Sequence, residues 1–188
     1  MKKILLVIAM LLSGCDSQRI WAYAEYVSDP YRQFLVLPAH VEFCNDNEDS
    51  MFCEDSQSYG DIQPTRAYIL NLIAEHRRTF KYVSDGKSDH WKYNDTIHES
   101  LRGDCEDKAL TMIHHMVTQD GIDKKYLVLV YRLISETEAH MFVAVNTSDA
   151  GWLHVDYVNS GQQLEENINW HMLMSDVGTL SWIKGNIK

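Results

Sequence analysis

Cys105, His140 and Asp156 are the residues whose types could share one reaction. A thiolate nucleophile needs an imidazole to take up and return its proton, and the imidazole needs a carboxylate to hold its tautomer. Cys105 lies in Gly103-Asp104-Cys105-Glu106-Asp107, directly before Ala109, Ile113, Met116 and Val117. That spacing predicts a helix from about 105 to 118, with Gly121 where a helix stops. Asp104 reads as the N-cap and Asp107, three places on, as its partner in a capping box. The Cys105 thiol then falls in the first helical turn, where the partial positive charge favours the thiolate. Taken singly, the three are a small residue at a helix start, a strand histidine and a strand-end acid. Their combination is what points to nucleophilic catalysis.

The elements that must position them follow from the same patterns. Residues 126–134 read as a buried strand, 139–145 as a second and 152–158 as a third, with turns at 136–138 and 146–151 between them. His140 and Asp156 are 16 positions apart on adjacent strands, so a hairpin can set them side by side near one end. A helix followed by an antiparallel meander predicts an α+β fold with helices on one face of the sheet. Upstream, Pro64 is expected in the first turn of a helix over 65–80, with Tyr68, Leu72, Ile73 and His76 on one face. Residues 84–89 read as a turn. Pro30 and Pro38 read as breaks. Residues 162–174 are expected to form a helix with Leu164, Ile168 and Met172 on one face, and Trp182 and Ile183 to cover the core. His114, His115, His154 and His171 lack zinc-motif spacing and read as structural or surface residues.

The chain has 188 residues, of which 45% are hydrophobic and 23% charged, enough for one core. Met1-Lys2-Lys3, the apolar run from Ile4 to Leu12 and Ser13-Gly14-Cys15 have the form of a secretory signal ending in a bacterial lipobox. Residues 1–14 are therefore expected to be removed and Cys15 acylated; Asp16 matches the signal for inner-membrane retention. Residues 15–38 are the expected lipidated tether and 39–188 the domain, facing the periplasm. A net charge of −10 argues against nucleic acid as a partner and leaves membrane attachment to the acyl chains. In an oxidising compartment Cys44 and Cys53 can close a short disulfide loop. With Cys15 acylated, Cys105 is then the odd thiol among four cysteines. Asp46, Glu48, Asp49, Glu54 and Asp55 lack the EF-hand order and read as a solvated acidic loop.

Gly103-Asp104-Cys105-Glu106-Asp107 with Ala109, then His140-Met141, then Asp156, resembles the bacterial transglutaminase-like cysteine proteinases, including the LapG-type periplasmic proteases. The resemblance runs from about Val41 to Asn159; Phe43-Cys44, Cys53, Tyr82, Asp85 and Trp91 match more weakly. It implies a papain-like fold and peptide cleavage through an acyl-enzyme on Cys105, with His140 as general base and acid and Asp156 as its orienter. It also implies calcium beside the nucleophile, held by Asp104, Glu106 and Asp107, a protein substrate in the envelope, and regulation by an inner-membrane protein. The chain departs from the family at Lys108, where an aromatic is common, and in lacking an Asn directly after Asp156. Acyl transfer or amide hydrolysis on the same triad, and a non-catalytic envelope-binding lipoprotein, are the competing readings.

Overall fold

The apolar period after Cys105 becomes a helix buried almost all round, and the other elements are arranged about it. The computed structural model describes residues 38–53, 60–85, 90–133 and 139–156, with the strand segments 23–24, 34–36, 162–163, 172–176 and 182–184. In chain order these form β1 (Tyr23–Ala24), β2 (Phe34–Val36), α1 (Pro38–Asp46), α2 (Arg66–Thr79), β3 (Phe80–Tyr82), β4 (Leu101–Gly103) and α3 (Cys105–Thr118). A 3-10 turn (Lys124–Tyr126) leads into β5 (Leu127–Leu133), β6 (Ala139–Thr147), β7 (Gly151–Val155), β8 (Gln162–Gln163), β9 (Met172–Asp176) and β10 (Trp182–Lys184). Eight strands make one antiparallel sheet in the order β1-β2-β10-β9-β5-β6-β7-β8, while β3 and β4 pair in parallel apart from it. The α+β expectation and the meander hold.

Alternation along the strands sorts the core. Leu127, Leu129, Tyr131, Met141, Val143, Val145, Leu153 and Val155 join Ala109, Ile113 and Met116 of α3 in the main cluster. Val130, Phe142 and Ala144 form a second cluster on the opposite sheet face. Leu72, Ile73 and His76 of α2 are buried, as the spacing predicts, and Ile69 is buried with them, while Tyr68 is half-buried. Each fully buried aliphatic side chain is worth about 1.5–3 kcal/mol relative to exposure. Gly121, at φ +69°, follows the end of α3 in the left-handed conformation that only glycine adopts without strain.

The Cys44–Cys53 disulfide is present, with a Cα–Cα separation of 5.5 Å. It ties α1 to the turn that follows, within a ring cluster of Phe43, Phe52, Trp91 and Tyr93. Trp91 stacks on His40 at 5.3 Å between centroids. The staple therefore fixes segment 90–93, which runs beside the first turn of α3. Replacing both cysteines by serine is expected to cost about 2–3 kcal/mol in the chain-entropy model. A thermal melt should show this as a drop of about 4–12 °C for a domain of this size.

Several expectations are corrected. Pro38 does not break structure; it begins α1, where its fixed φ suits the first turn and no N–H is needed. Pro64 lies one residue before the N-cap Thr65, whose side chain accepts from the Tyr68 N–H. The tether contains β1, which pairs with β2. The expected 162–174 helix is replaced at both ends by strands: β8 pairs with β7, and β9 lies along β5. Ladder bonds offered by the sheet edges outweigh a weak local helical period. The third strand ends at Val155 rather than Val158. The side chains of Trp182 and Ile183, the signal segment, Cys15, and residues 54–55, 86–89 and 136–138 lie outside the described residues. Among the described residues, no helix is long and apolar enough to cross a membrane.

Candidate active site

Cys105 is the first residue of α3. Asp104 before it is extended, at φ −109° and ψ −150°, and its carboxylate makes no cap hydrogen bond. The capping-box expectation therefore fails: the Asp107 carboxylate turns away from the helix start towards Lys92. The described β6–β7 ladder ends at the Val143–Val155 pair. Two residues beyond, the Met141 N–H donates to Cys105 Sγ at 3.4 Å. The sulfur thus sits at the end of the ladder, beside the strand residue that follows His140. Glu106 Oε2 is 3.1 Å from Sγ. Cys105 is disulfide-bonded to a partner outside the described residues, whereas its expectation as the odd thiol is for the chain acylated at Cys15. The count that left it unpaired holds only where Cys15 is acylated; in the unmodified chain four cysteines are an even number.

His140 and Asp156 meet as the hairpin spacing predicts, with Nε2 2.7 Å from Oδ2. Asp156 is 4% exposed in its side chain and His140 19%. His154, assigned from sequence to a structural or surface role, places its Nε2 3.5 Å from the same Oδ2. It reaches that position because residues two apart on a strand share a face, and the Phe142 ring packs on the His154 imidazole at 3.9 Å. The contact is local, between residues two apart at the end of β7, so the period-two pattern carried its signal; only the approach of His140 comes from the neighbouring strand. Lys108, one turn after Cys105, is buried, with Nζ 5.5 Å from the centre of the Phe80 ring. Burial pushes its ammonium down to about 8, and Arg77 pushes the same way, while Asp156 opposes both.

Beside the nucleophile is an acidic cluster whose membership differs from expectation. Oxygens of Asp85, Asp104 and Asp107 lie within 4.8 Å of one another, and Glu106, which contacts Cys105 Sγ and hydrogen-bonds Asp104, is not among them. Lys92 donates its backbone N–H to Asp107 Oδ1 at 2.9 Å and sets Nζ 2.9 Å from Oδ2 and 3.4 Å from Asp85 Oδ1. Burial still pushes Asp107 up to about 7 against the pull of Lys92. Burial likewise raises Asp104, opposed by a hydrogen bond from Glu106. Asp104 Oδ1 is buried with no hydrogen-bond partner among the described residues. Buried carboxylates short of positive charge fit a hard cation with oxygen ligands.

Gly103 makes room for this cluster. A Cβ there would come within 2.0 Å of Asp107 Oδ2 and 2.7 Å of Asp107 Cβ, so the helix start would have to move. Gly103→Ala is expected to destabilise the fold by about 1–3 kcal/mol, measured by denaturant titration, since overpacking displaces backbone and side chain together.

The architecture can be set against known proteins. No curated protein sequence matches the chain. Among solved structures it is similar to calcium-bound LapG of Legionella pneumophila, at 19% identity and a TM-score of 0.45, over 63% of this chain and 71% of that one. The model of the bacterial transglutaminase-like cysteine proteinases matches residues 33–181, a span that runs from β2 to the edge of β10 and includes Cys105, His140 and Asp156. A match across most of its length makes the chain a member of the bacterial transglutaminase-like cysteine proteinases, and so a cysteine peptidase acting on protein.

Proposed function

We propose that the enzyme cleaves a cell-envelope protein through Cys105, His140 and Asp156, from a lipid anchor at Cys15. The observation that carries this reading is the 2.7 Å contact between His140 Nε2 and Asp156 Oδ2, next to a cysteine that begins a helix and takes the Met141 N–H. With Nε2–H committed to Asp156, Nδ1 is the nitrogen left to accept the thiol proton. Cys105 attacks the scissile carbonyl as thiolate and forms a thioester. His140 returns the proton to the leaving amine, then takes one from the water that releases the acyl group. The N–H of Cys105, at the positive end of α3, is a natural donor to the oxyanion. The disulfide form of Cys105 cannot attack, so activity belongs to the reduced thiol.

Asp85, Asp104 and Asp107 are the residues that would hold calcium. A bound calcium ion would offset the carboxylates near Sγ and so favour the thiolate. The lipobox Leu12-Ser13-Gly14-Cys15 and Asp16 support an inner-membrane anchor facing the periplasm, and an anchored protease of this family suits control by a neighbouring membrane protein. The test is a survey of envelope-protein N-termini in cells carrying the native chain or Cys105→Ala. N-termini lost in the variant, and lost again with a calcium chelator, support the reading and name the substrate. Identical N-termini in both strains refute it, and Cys105-dependent crosslinks would point to acyl transfer instead.

A further inference from the structure

Asp156 faces two histidines, and the second has no part in the peptidase chemistry proposed above. We propose that His140, His154 and Asp156 form a binding site for a borderline-soft divalent cation of the zinc class, and that its occupation withdraws the base and its orienter from catalysis. Nε2 of His140 is 2.7 Å and Nε2 of His154 3.5 Å from Asp156 Oδ2, and the three residues each offer a ligand atom within 4.8 Å of the others. Zinc bound to imidazole nitrogen and carboxylate oxygen at about 2.0–2.2 Å in tetrahedral geometry separates its ligands by about 3.3 Å. The two separations from Asp156 bracket that value, and the third, between the histidines, lies within 4.8 Å.

The donor set selects the metal. Two imidazoles and one carboxylate suit zinc and its neighbours, whereas calcium and magnesium require oxygen. The Asp85, Asp104 and Asp107 cluster supplies oxygen only, so the molecule sorts hard and borderline cations into different sites. The ligands are held before the ion arrives. His154 packs on Phe142 at 3.9 Å, His140 lies nearly parallel to the same ring at 6.3 Å, and the β6–β7 ladder spaces the two strands. Both histidine side chains keep some exposure, 19% and 13%, while His154 Nε2 itself is buried and makes no hydrogen bond among the described residues. Buried Lys108, whose charge is felt at Asp156, opposes binding.

Zinc binding rests on the donor geometry; its inhibitory consequence rests on the peptidase reading. The full chain with Cys105→Ser, which removes the thiol as a competing ligand, is titrated with zinc chloride against a chromophoric chelator in millimolar calcium. One equivalent is expected to bind. His154→Gln and His140→Gln are each expected to weaken it at least tenfold, with thermal melts confirming that both variants are folded. Cobalt(II) should give the visible absorption of a four-coordinate site, lost in both variants. Failure to bind zinc, or affinity within twofold of the parent in both histidine variants, would overturn the site. In the Cys105 protein, zinc should suppress cleavage, and His154→Gln should raise the inhibitory concentration relative to its own zinc-free rate. Cleavage that is equally zinc-sensitive in His154→Gln overturns the inhibitory role. Zinc binding as described in a protein that cleaves nothing leaves the site standing and counts against the peptidase reading alone.

Discussion

Cys105→Ala is expected to abolish substrate cleavage, a fall of at least about 10³-fold in kcat/KM, because Cys105 supplies the sulfur of the thioester. His140→Ala should fall nearly as far. Asp156→Asn should lose about 10²–10⁴-fold, since an amide in place of the carboxylate no longer holds the Nε2–H tautomer seen at 2.7 Å. The three losses should not add, because the residues act as a unit. Alkylation of the reduced protein gives an independent readout. Cys105 should react rapidly at pH 6, and the rate should drop towards that of an ordinary thiol in His140→Ala. Full activity in Cys105→Ala, or unaltered alkylation in His140→Ala, would remove the triad.

Metal-free protein is expected to lose stability as pH rises from about 4 to 7, and to regain it when calcium is added above pH 7. The source is Asp107, whose side chain is fully buried and whose carboxyl is pushed up to about 7 from an ordinary 3.8. Below 3.8 it is protonated in both the folded and unfolded states and contributes no pH dependence. Between 3.8 and 7 the unfolded chain releases the proton while the folded protein keeps it, so each rise in pH favours unfolding. The full span amounts to on the order of 4 kcal/mol. His76 pulls the other way: buried without a hydrogen-bond partner among the described residues, it is pushed down to about 3, and its contribution is lost as pH falls from 6.5 towards that value. Asp107→Asn isolates the first effect. Denaturant melts of this variant across pH 4–8 should lose the downward slope, and calcium should no longer shift them. A slope that survives the substitution would place the titration elsewhere.

How much of this was legible in the sequence depends on the range of the interactions concerned. The bounds of α3 follow from a period carried by consecutive turns, and Cys105 at its start follows from those bounds. His140 and Asp156 came within reach because a hairpin is a local object whose turn and alternation are written in adjoining residues. The Cys44–Cys53 bond was legible for the same reason, as a short loop between two cysteines in an oxidising compartment. The capping box failed although its residues were present, because Lys92, 15 positions away in sequence, offers Asp107 both a backbone N–H and an ammonium group. The 162–174 segment was misread because its partners, β5 and β7, lie far upstream, and a strand edge in need of a ladder overrides a weak helical pattern.

The chemistry class therefore belongs to the chain as written: a cysteine opening a helix, and a histidine and an acid on one hairpin. Which acids surround the nucleophile belongs to the folded molecule. Asp85 joins Asp104 and Asp107 through packing of the segment beside α3, while Glu106, which contacts the sulfur, stays outside that cluster. Periodicity fixes which way a side chain points along its own element, but the distance between two elements is set by the core packed between them, here the main cluster that seats α3 against β6.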